Sequence, residues 1–247
     1  MYDLLMLVVT HKKIDEKVND RTYIKVGNEN FSCDLSDDNG DNISNKNSSF
    51  CELTALYYAY KNLEYDYLSL EHYRRFFLYK NKPISKSDML NLLEEYDVIL
   101  PIKNHLTETN YEHYTNNEHK DEYENDIKVL REVFLEKYPN EIKAFDQFFS
   151  SKESYYYNMM ASNKDFINGY LNWLFGILFE VENRLDISNY DNYHKRVFGF
   201  LSERLLNIYL LMNPNLKVKE LEMGMLGDNL FKRKLGLVKN KIRKFIK

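Results

Sequence analysis

In the stretch Asp66-Tyr67-Leu68-Ser69-Leu70-Glu71-His72-Tyr73-Arg74-Arg75-Phe76-Phe77, a short apolar run ends in a histidine and two nearby adjacent arginines. A guanidinium stays charged at any relevant pH and presents a planar fork of N–H donors that matches phosphate oxygens. His72, Arg74 and Arg75 are therefore candidates for gripping an anion such as a diphosphate; pairing with surface carboxylates is the plainer alternative. A second candidate is Glu203-Arg204, a charged pair set among Leu201, Leu205, Leu206 and Ile208. Charges in so apolar a setting mark either a structural ion pair or a site. Thr10-His11-Lys12, the polar exit of the apolar run Leu4 to Val9, is a third. Metal chemistry is poorly supported. His105, His113 and His119 lack the i, i+4 spacing that puts two imidazoles on one helix face. The run Asp37-Asp38-Asn39-Gly40-Asp41-Asn42 lacks an EF-hand frame and a closing Glu. Cys33 and Cys51 are too few for a disulfide framework or a zinc site, and no G-x-x-x-x-G-K-[ST] loop is present to support phosphate transfer.

The elements that must position these groups alternate in type. Strands are predicted at Leu4 to Val9, at Tyr67 onward into the arginines, at Asp97 to Leu100 and at Tyr155 to Ser162. Helices are predicted from Ser48, with serine caps, to Leu63, then over Lys86 to Tyr96, Lys128 to Phe149 with Pro139 as a break, Phe166 to Leu185, and Val197 to Met212. Leu53, Leu56, Tyr57, Tyr60 and Leu63 recur at helical spacing, and Val26 to Asn47 carries turn chemistry without periodicity. The expected fold is α/β: a central mostly parallel sheet flanked by helices, with a helical C-terminal part. In an open sheet of this kind the C-terminal ends of the strands face the ligand crevice, which puts the arginines there. Trp173, on a helix apolar on most sides, is expected to pack in the core.

With 247 residues, 44% of them hydrophobic, the chain can bury the core of one large domain, here residues 1–229, followed by a tail at 230–247. The 21 Tyr and 15 Phe beside 8 Gly and 4 Pro fit the codon usage of an AT-rich genome, so tyrosine content alone does not argue for a stacking surface. The net charge of −4 is uneven: Phe231 to Lys247 holds eight Lys/Arg and no acid, leaving 26 Lys/Arg against 38 Asp/Glu before it. An acidic body argues against nucleic acid as a partner. The tail interleaves Phe231, Leu235, Val238, Ile242 and Phe245 with lysines and arginines, the pattern of a helix that lies on an anionic membrane surface; a solvated terminal helix packed on the acidic body is the plainer alternative. The N-terminus lacks a basic signal-peptide region, and Leu171 to Val181 is too short to span a bilayer. The expected location is the cytoplasm, peripheral on the inner face of the cytoplasmic membrane.

Three blocks together resemble a bacterial capsular and exopolysaccharide biosynthesis family, long filed as a domain of unknown function and grouped with glycosyltransferases, including galactofuranose transferases. They are Gly40-Asp41-Asn42-Ile43-Ser44 through Cys51-Glu52-Leu53-Thr54-Ala55-Leu56-Tyr57 and Lys61-Asn62; His72-Tyr73-Arg74-Arg75; and Asn158-Met159 with Trp173-Leu174-Phe175 and Phe198 to Leu205. The resemblance implies a GT-A-like nucleotide-diphospho-sugar transferase fold and transfer from a nucleotide sugar, foremost a UDP-sugar, to a lipid-linked glycan acceptor. GT-A enzymes usually end the corresponding strand in Asp-x-Asp, which holds a divalent ion; here it reads Glu-His-Tyr-Arg-Arg, so arginines are expected to replace the metal, and no cofactor is expected. By position, Thr10, His11, Lys12, Asp41, Asn42, Glu52 and Arg204 would bind donor. Asn158, Met159 and Trp173 would bind acceptor, and Glu203 would be the general base. The competing class is a non-catalytic phosphate- or glycolipid-binding component of a polysaccharide assembly complex.

Overall fold

The structure is a computed structural model that describes residues 3–27, 30–116 and 120–225. In chain order the elements begin β1 (Leu4–Thr10), β2 (Thr22–Lys25), β3 (Leu35–Ser36), α1 (Asn47–Phe50) and α2 (Leu53–Asn62). There follow β4 (Tyr67–His72), β5 (Arg75–Tyr79), β6 (Lys82–Pro83), α3 (Lys86–Leu93), β7 (Val98–Pro101), β8 (Asn104–His105) and α4 (Asn110–Thr115). The rest are α5 (Lys120–Lys137), α6 (Ile142–Ser150), β9 (Glu153–Ser154), β10 (Met160–Asn163), α7 (Lys164–Arg184), α8 (Val197–Met212) and β11 (Val218–Met225). The main sheet runs β3-β2-β1-β4-β10-β7-β11-β5-β6. β1, apolar from Leu4 to Val9, lies between two parallel neighbours, as a strand covered on both faces should.

The sheet is mixed rather than mostly parallel. β3, β2, β1 and β4 are parallel, but β10 runs antiparallel to both β4 and β7, and β5 antiparallel to β4, β6 and β11. Two local facts cause this. Only the two residues Tyr73 and Arg74 separate β4 from β5, so the expected single strand is a hairpin and must reverse. The expected strand at Tyr155 to Ser162 starts only at Met160, because Tyr157 and Asn158 turn through left-handed φ values of 75° and 52° before the chain runs back from the strand ends. The His72–Arg75 pair also joins β4 to β5, which closes β4, β10, β7, β11 and β5 into a ring. The C-terminal part is not all helix: after α8 the chain adds β11 between β7 and β5.

Alternation along β4 assigns its two faces. Leu68 and Leu70 join the larger core beneath the helices, whereas Met6, Phe77, Ile99 and Ala161 pack under α3 on the other side. Helix α7 buries nine side chains, Trp173 among them. At about 1.5–3 kcal/mol for each large apolar side chain, this helix is a main anchor of the fold. Among the described residues no helix is long and apolar enough to cross a membrane.

Candidate active site

The β4–β5 hairpin stands at the rim of an open cavity of about 1130 Å³, above the roughly 300–1,000 Å³ of a single small-ligand pocket. Arg74 is exposed; its Nε donates to the Tyr73 hydroxyl at 2.6 Å, its Nη2 donates to the same oxygen, and the guanidinium lies over that ring. Arg75 sits 4.4 Å from the centroid of Tyr157. Neither arginine has a carboxylate partner among the described residues. An aromatic face orients a guanidinium without neutralising it, so both charges remain available to a ligand. The acid in this motif, Glu71, points to the opposite face. There it takes Arg21 Nε at 2.8 Å, Arg21 Nη2 at 3.1 Å and the Phe77 N–H at 2.8 Å.

The left-handed pair Tyr157-Asn158 ties the hairpin to two carboxylates. His72 Nε2 donates to the Tyr157 carbonyl at 2.6 Å, the Tyr157 N–H donates to Glu203 Oε1 at 2.8 Å, and Asn158 Nδ2 donates to Glu52 Oε1 at 2.7 Å and Ser202 Oγ at 2.8 Å. Glu203 Oε2 accepts from Arg204 at 2.8 Å, and the side chain keeps 16% of its exposure. Burial pushes the Glu203 carboxyl above its ordinary pKa; Arg204 opposes the rise and Glu52 adds to it. Glu52 follows Cys51, whose φ of 52° and ψ of −131° break the helical path between α1 and α2. The second Glu52 oxygen has no hydrogen bond among the described residues. Burial pushes the Cys51 thiol up to about 11, which leaves it protonated and a poor nucleophile at neutral pH.

Of the predicted site residues, His11, Glu52, His72, Arg74, Arg75, Glu203 and Arg204 line this one cavity. The others do not. Thr10 is buried and exchanges hydrogen bonds with the Lys12 backbone, while Lys12 lies over the Tyr73 ring. Asp41 and Asn42 shape a turn: Asn62 bridges the Asp41 backbone, and Asn42 bonds Gly40 and Ser44. Asn158 is buried; among the described residues its side chain bonds Glu52, which lines the cavity, and Ser202, which does not. Met159 packs under α3, and Trp173 lies among Phe134, Tyr138, Tyr170 and Tyr209. His113 lines the cavity beside Glu108, and His119 lies outside the described residues.

The sequence reading missed Arg196, Tyr193 and Phe200, all of which line the cavity. A signal existed: 196, 200, 203 and 204 share one face at i, i+4, i+7 and i+8. It also missed Arg21, the partner of Glu71. Among the described residues no three His, Cys, Asp or Glu side chains converge as metal ligands, and Glu71 is turned away from the cavity that the hairpin arginines line.

Of the residues that carry the resemblance, Cys51, Glu52, the His72 to Arg75 hairpin, Phe200, Glu203 and Arg204 line one cavity. The chain belongs to the family described as a domain of unknown function, DUF4422. That family's pattern matches residues 5–214, a span that holds both the hairpin and Glu203. No curated protein matches the chain. The apo structure of the bifunctional glycosyltransferase WbbM resembles this DUF4422 chain with a TM-score of 0.80 and 30% sequence identity, over 92% of the chain. The similarity covers 46% of the WbbM chain, so this chain spans about half the length of that protein. The mixed α/β fold is one it shares with a glycosyltransferase.

Proposed function

We propose that this DUF4422 protein is itself a glycosyltransferase of GT-A-like architecture. It would move a sugar from a nucleotide diphosphate, with UDP-galactofuranose among the first donors to test, onto a lipid-linked surface polysaccharide. The observation that carries this reading is the Arg74–Arg75 pair, free of carboxylate partners among the described residues, at the rim of a cavity that also holds Glu203. In the reaction proposed, the acceptor hydroxyl oxygen attacks the anomeric carbon, the bond from that carbon to the diphosphate breaks, and the diphosphate leaves with the bonding electrons. Arg74 and Arg75, with His72 behind them, neutralise the charge that grows there, in place of a metal ion. Glu203 takes the acceptor proton; its raised pKa makes it a better base than an ordinary carboxylate. His11 and Glu52, on the same cavity wall, contact the donor. Residues 230–247 lie outside the described residues; their basic, apolar sequence supports peripheral attachment to the inner face of the cytoplasmic membrane, where a lipid-linked acceptor resides.

The deciding experiment measures release of UDP from a panel of UDP-sugars, with and without manganese, alongside a thermal-shift screen of the same ligands. Release lost in Arg74→Ala supports transferase chemistry. Thermal stabilisation by donors with no release from any of them favours the non-catalytic binder of phosphate-bearing glycolipid. Chelator-sensitive release with normal turnover in Arg74→Ala defeats the arginine mechanism.

A further inference from the structure

The cavity is organised from end to end. Arg75 stacks on Tyr157, the Tyr157 N–H bonds Glu203, and the adjoining Asn158 bonds Glu52. Cys51, next to Glu52, accepts from Arg196 Nε at 3.3 Å, and the Arg196 guanidinium lies 5.9 Å from the centroid of Tyr193 and 5.3 Å from that of Phe200. Cations therefore occupy one end, two carboxylates the middle, and an aromatic shelf with its own guanidinium the other end.

Tyr193 is 62% exposed, the most open of the large hydrophobic side chains among the described residues, and its ring centroid is 5.1 Å from that of Phe200. It stands on an anchored turn. The Asp191 carboxylate accepts from the Tyr193 and His194 N–H groups. His194, fully buried, is sandwiched between Tyr123 and Tyr190 with both centroids at 3.7 Å. Its ring nitrogens meet Asp126 at 2.6 Å and Glu122 at 3.1 Å. An exposed ring held this firmly loses little freedom when a ligand covers it.

The geometry points to Tyr193, Phe200 and Arg196 as a saccharide-binding subsite that seats the terminal sugar of the acceptor glycan, across the carboxylates from the diphosphate grip. A sugar ring offers an apolar C–H face, which an aromatic ring covers, and a rim of hydroxyls, which guanidinium N–H groups can serve. The Arg196 Nη groups have no hydrogen-bond partner among the described residues and are free for that task. A sugar seated here would place a hydroxyl toward Glu203 and Glu52. The assignment of this sugar as acceptor rests on the transferase reading; the binding itself does not.

The test is saturation-transfer NMR on the full-length protein with methyl glycosides of galactopyranose, galactofuranose, glucopyranose and mannopyranose as probes. UDP is titrated separately to report on the other end of the cavity. The expected result is binding of at least one glycoside, weakened at least about fivefold in Tyr193→Ala and in Phe200→Leu, the loss expected when an aromatic anchor is truncated. Thermal melting checks that both variants fold. No transfer to any glycoside, or equal transfer in wild type and a folded Tyr193→Ala, overturns the subsite. UDP binding in that event leaves the transferase reading standing, whereas glycoside binding without UDP binding upholds the shelf and defeats the diphosphate grip.

Discussion

Arg74 and Arg75 matter because no carboxylate among the described residues pairs with them. Tyr73 and Tyr157 hold the two guanidiniums in place through ring faces and a hydroxyl, so a diphosphate would meet cations already oriented. Charged hydrogen bonds of this kind contribute about 1.5–3 kcal/mol each. Arg74→Ala or Arg75→Ala should therefore raise the UDP dissociation constant about ten- to a hundredfold. Calorimetric titration checks this, and unchanged affinity in both variants would remove the diphosphate role. Glu203 carries the second prediction at this scale. Glu203→Gln keeps the shape and can still accept from the Tyr157 N–H, but it takes no proton, so turnover should fall at least about a hundredfold while UDP still binds. Burial raises the Glu203 carboxyl, so the acid limb of wild-type turnover should turn down above the usual carboxylate pKa. A limb centred at an ordinary carboxylate value would move the base elsewhere, with Glu52 next.

Between residue and domain stands the Tyr157-Asn158 kink, which turns a would-be strand into the connector of His72, Glu203 and Glu52. Asn tolerates the left-handed region better than most residues, and its side chain here also fastens Glu52. Asn158→Gly and Asn158→Ala lose that hydrogen bond equally, but alanine must also hold φ at 52°. Asn158→Ala should therefore be the less stable by about 1 kcal/mol, despite the greater chain entropy of glycine, and both should turn over about tenfold more slowly as Glu52 shifts. Equal melting temperatures would show that the strain on alanine here is no larger than the extra chain entropy of glycine. The kink also shows where sequence patterns stop being legible. β1 was readable because it is continuously apolar from Leu4 to Val9 and ends at a polar exit, and α8 because its apolar residues recur over about four turns. Tyr155 to Ser162 is equally apolar, and no Gly or Pro marks the reversal. The β4–β5 turn uses Tyr73 and Arg74 in place of the Asn-Gly type pairs that signal hairpins. β11 is partly exposed, with Lys219, Glu220 and Glu222 along it, so burial left little trace in its sequence. The arginines and Glu203 stand out as charge in apolar surroundings; Arg196 and Phe200 were legible only from their spacing to Glu203 and Arg204, and Tyr193 was not, because a turn outside the helix carries it.

At the scale of the whole molecule, the Arg21–Glu71 pair ties distant segments together, and its two side chains are 1% and 0% exposed. Arg21 donates to the Asn19 and Ile84 carbonyls as well as to Glu71, and Glu71 in turn accepts from Phe77 in β5. The loop before β2, the centre of the sheet, the ring-closing hairpin and the approach to α3 all meet at this point. Arg21→Met leaves a buried carboxylate whose remaining hydrogen bond among the described residues comes from the Phe77 N–H, a change that typically costs about 3–5 kcal/mol. The pH dependence follows from the same contacts. Burial already holds the Glu71 carboxyl above its ordinary value, and Arg21 is what pulls it back; without Arg21 it rises further. A carboxyl raised in the folded state favours folding while protonated, and that stabilisation is lost as pH rises through the folded-state value. The stability deficit of Arg21→Met relative to wild type should therefore be smaller at pH 5 than at pH 8, as read from urea unfolding at both. Arg21→Met combined with Glu71→Leu removes the buried charge and should recover much of the loss with little pH dependence. A deficit in Arg21→Met that stays constant between pH 5 and 8 would show that Glu71 does not carry the cost, leaving the bonds from Arg21 to Asn19 and Ile84 as the tie between the sheet and its hairpin.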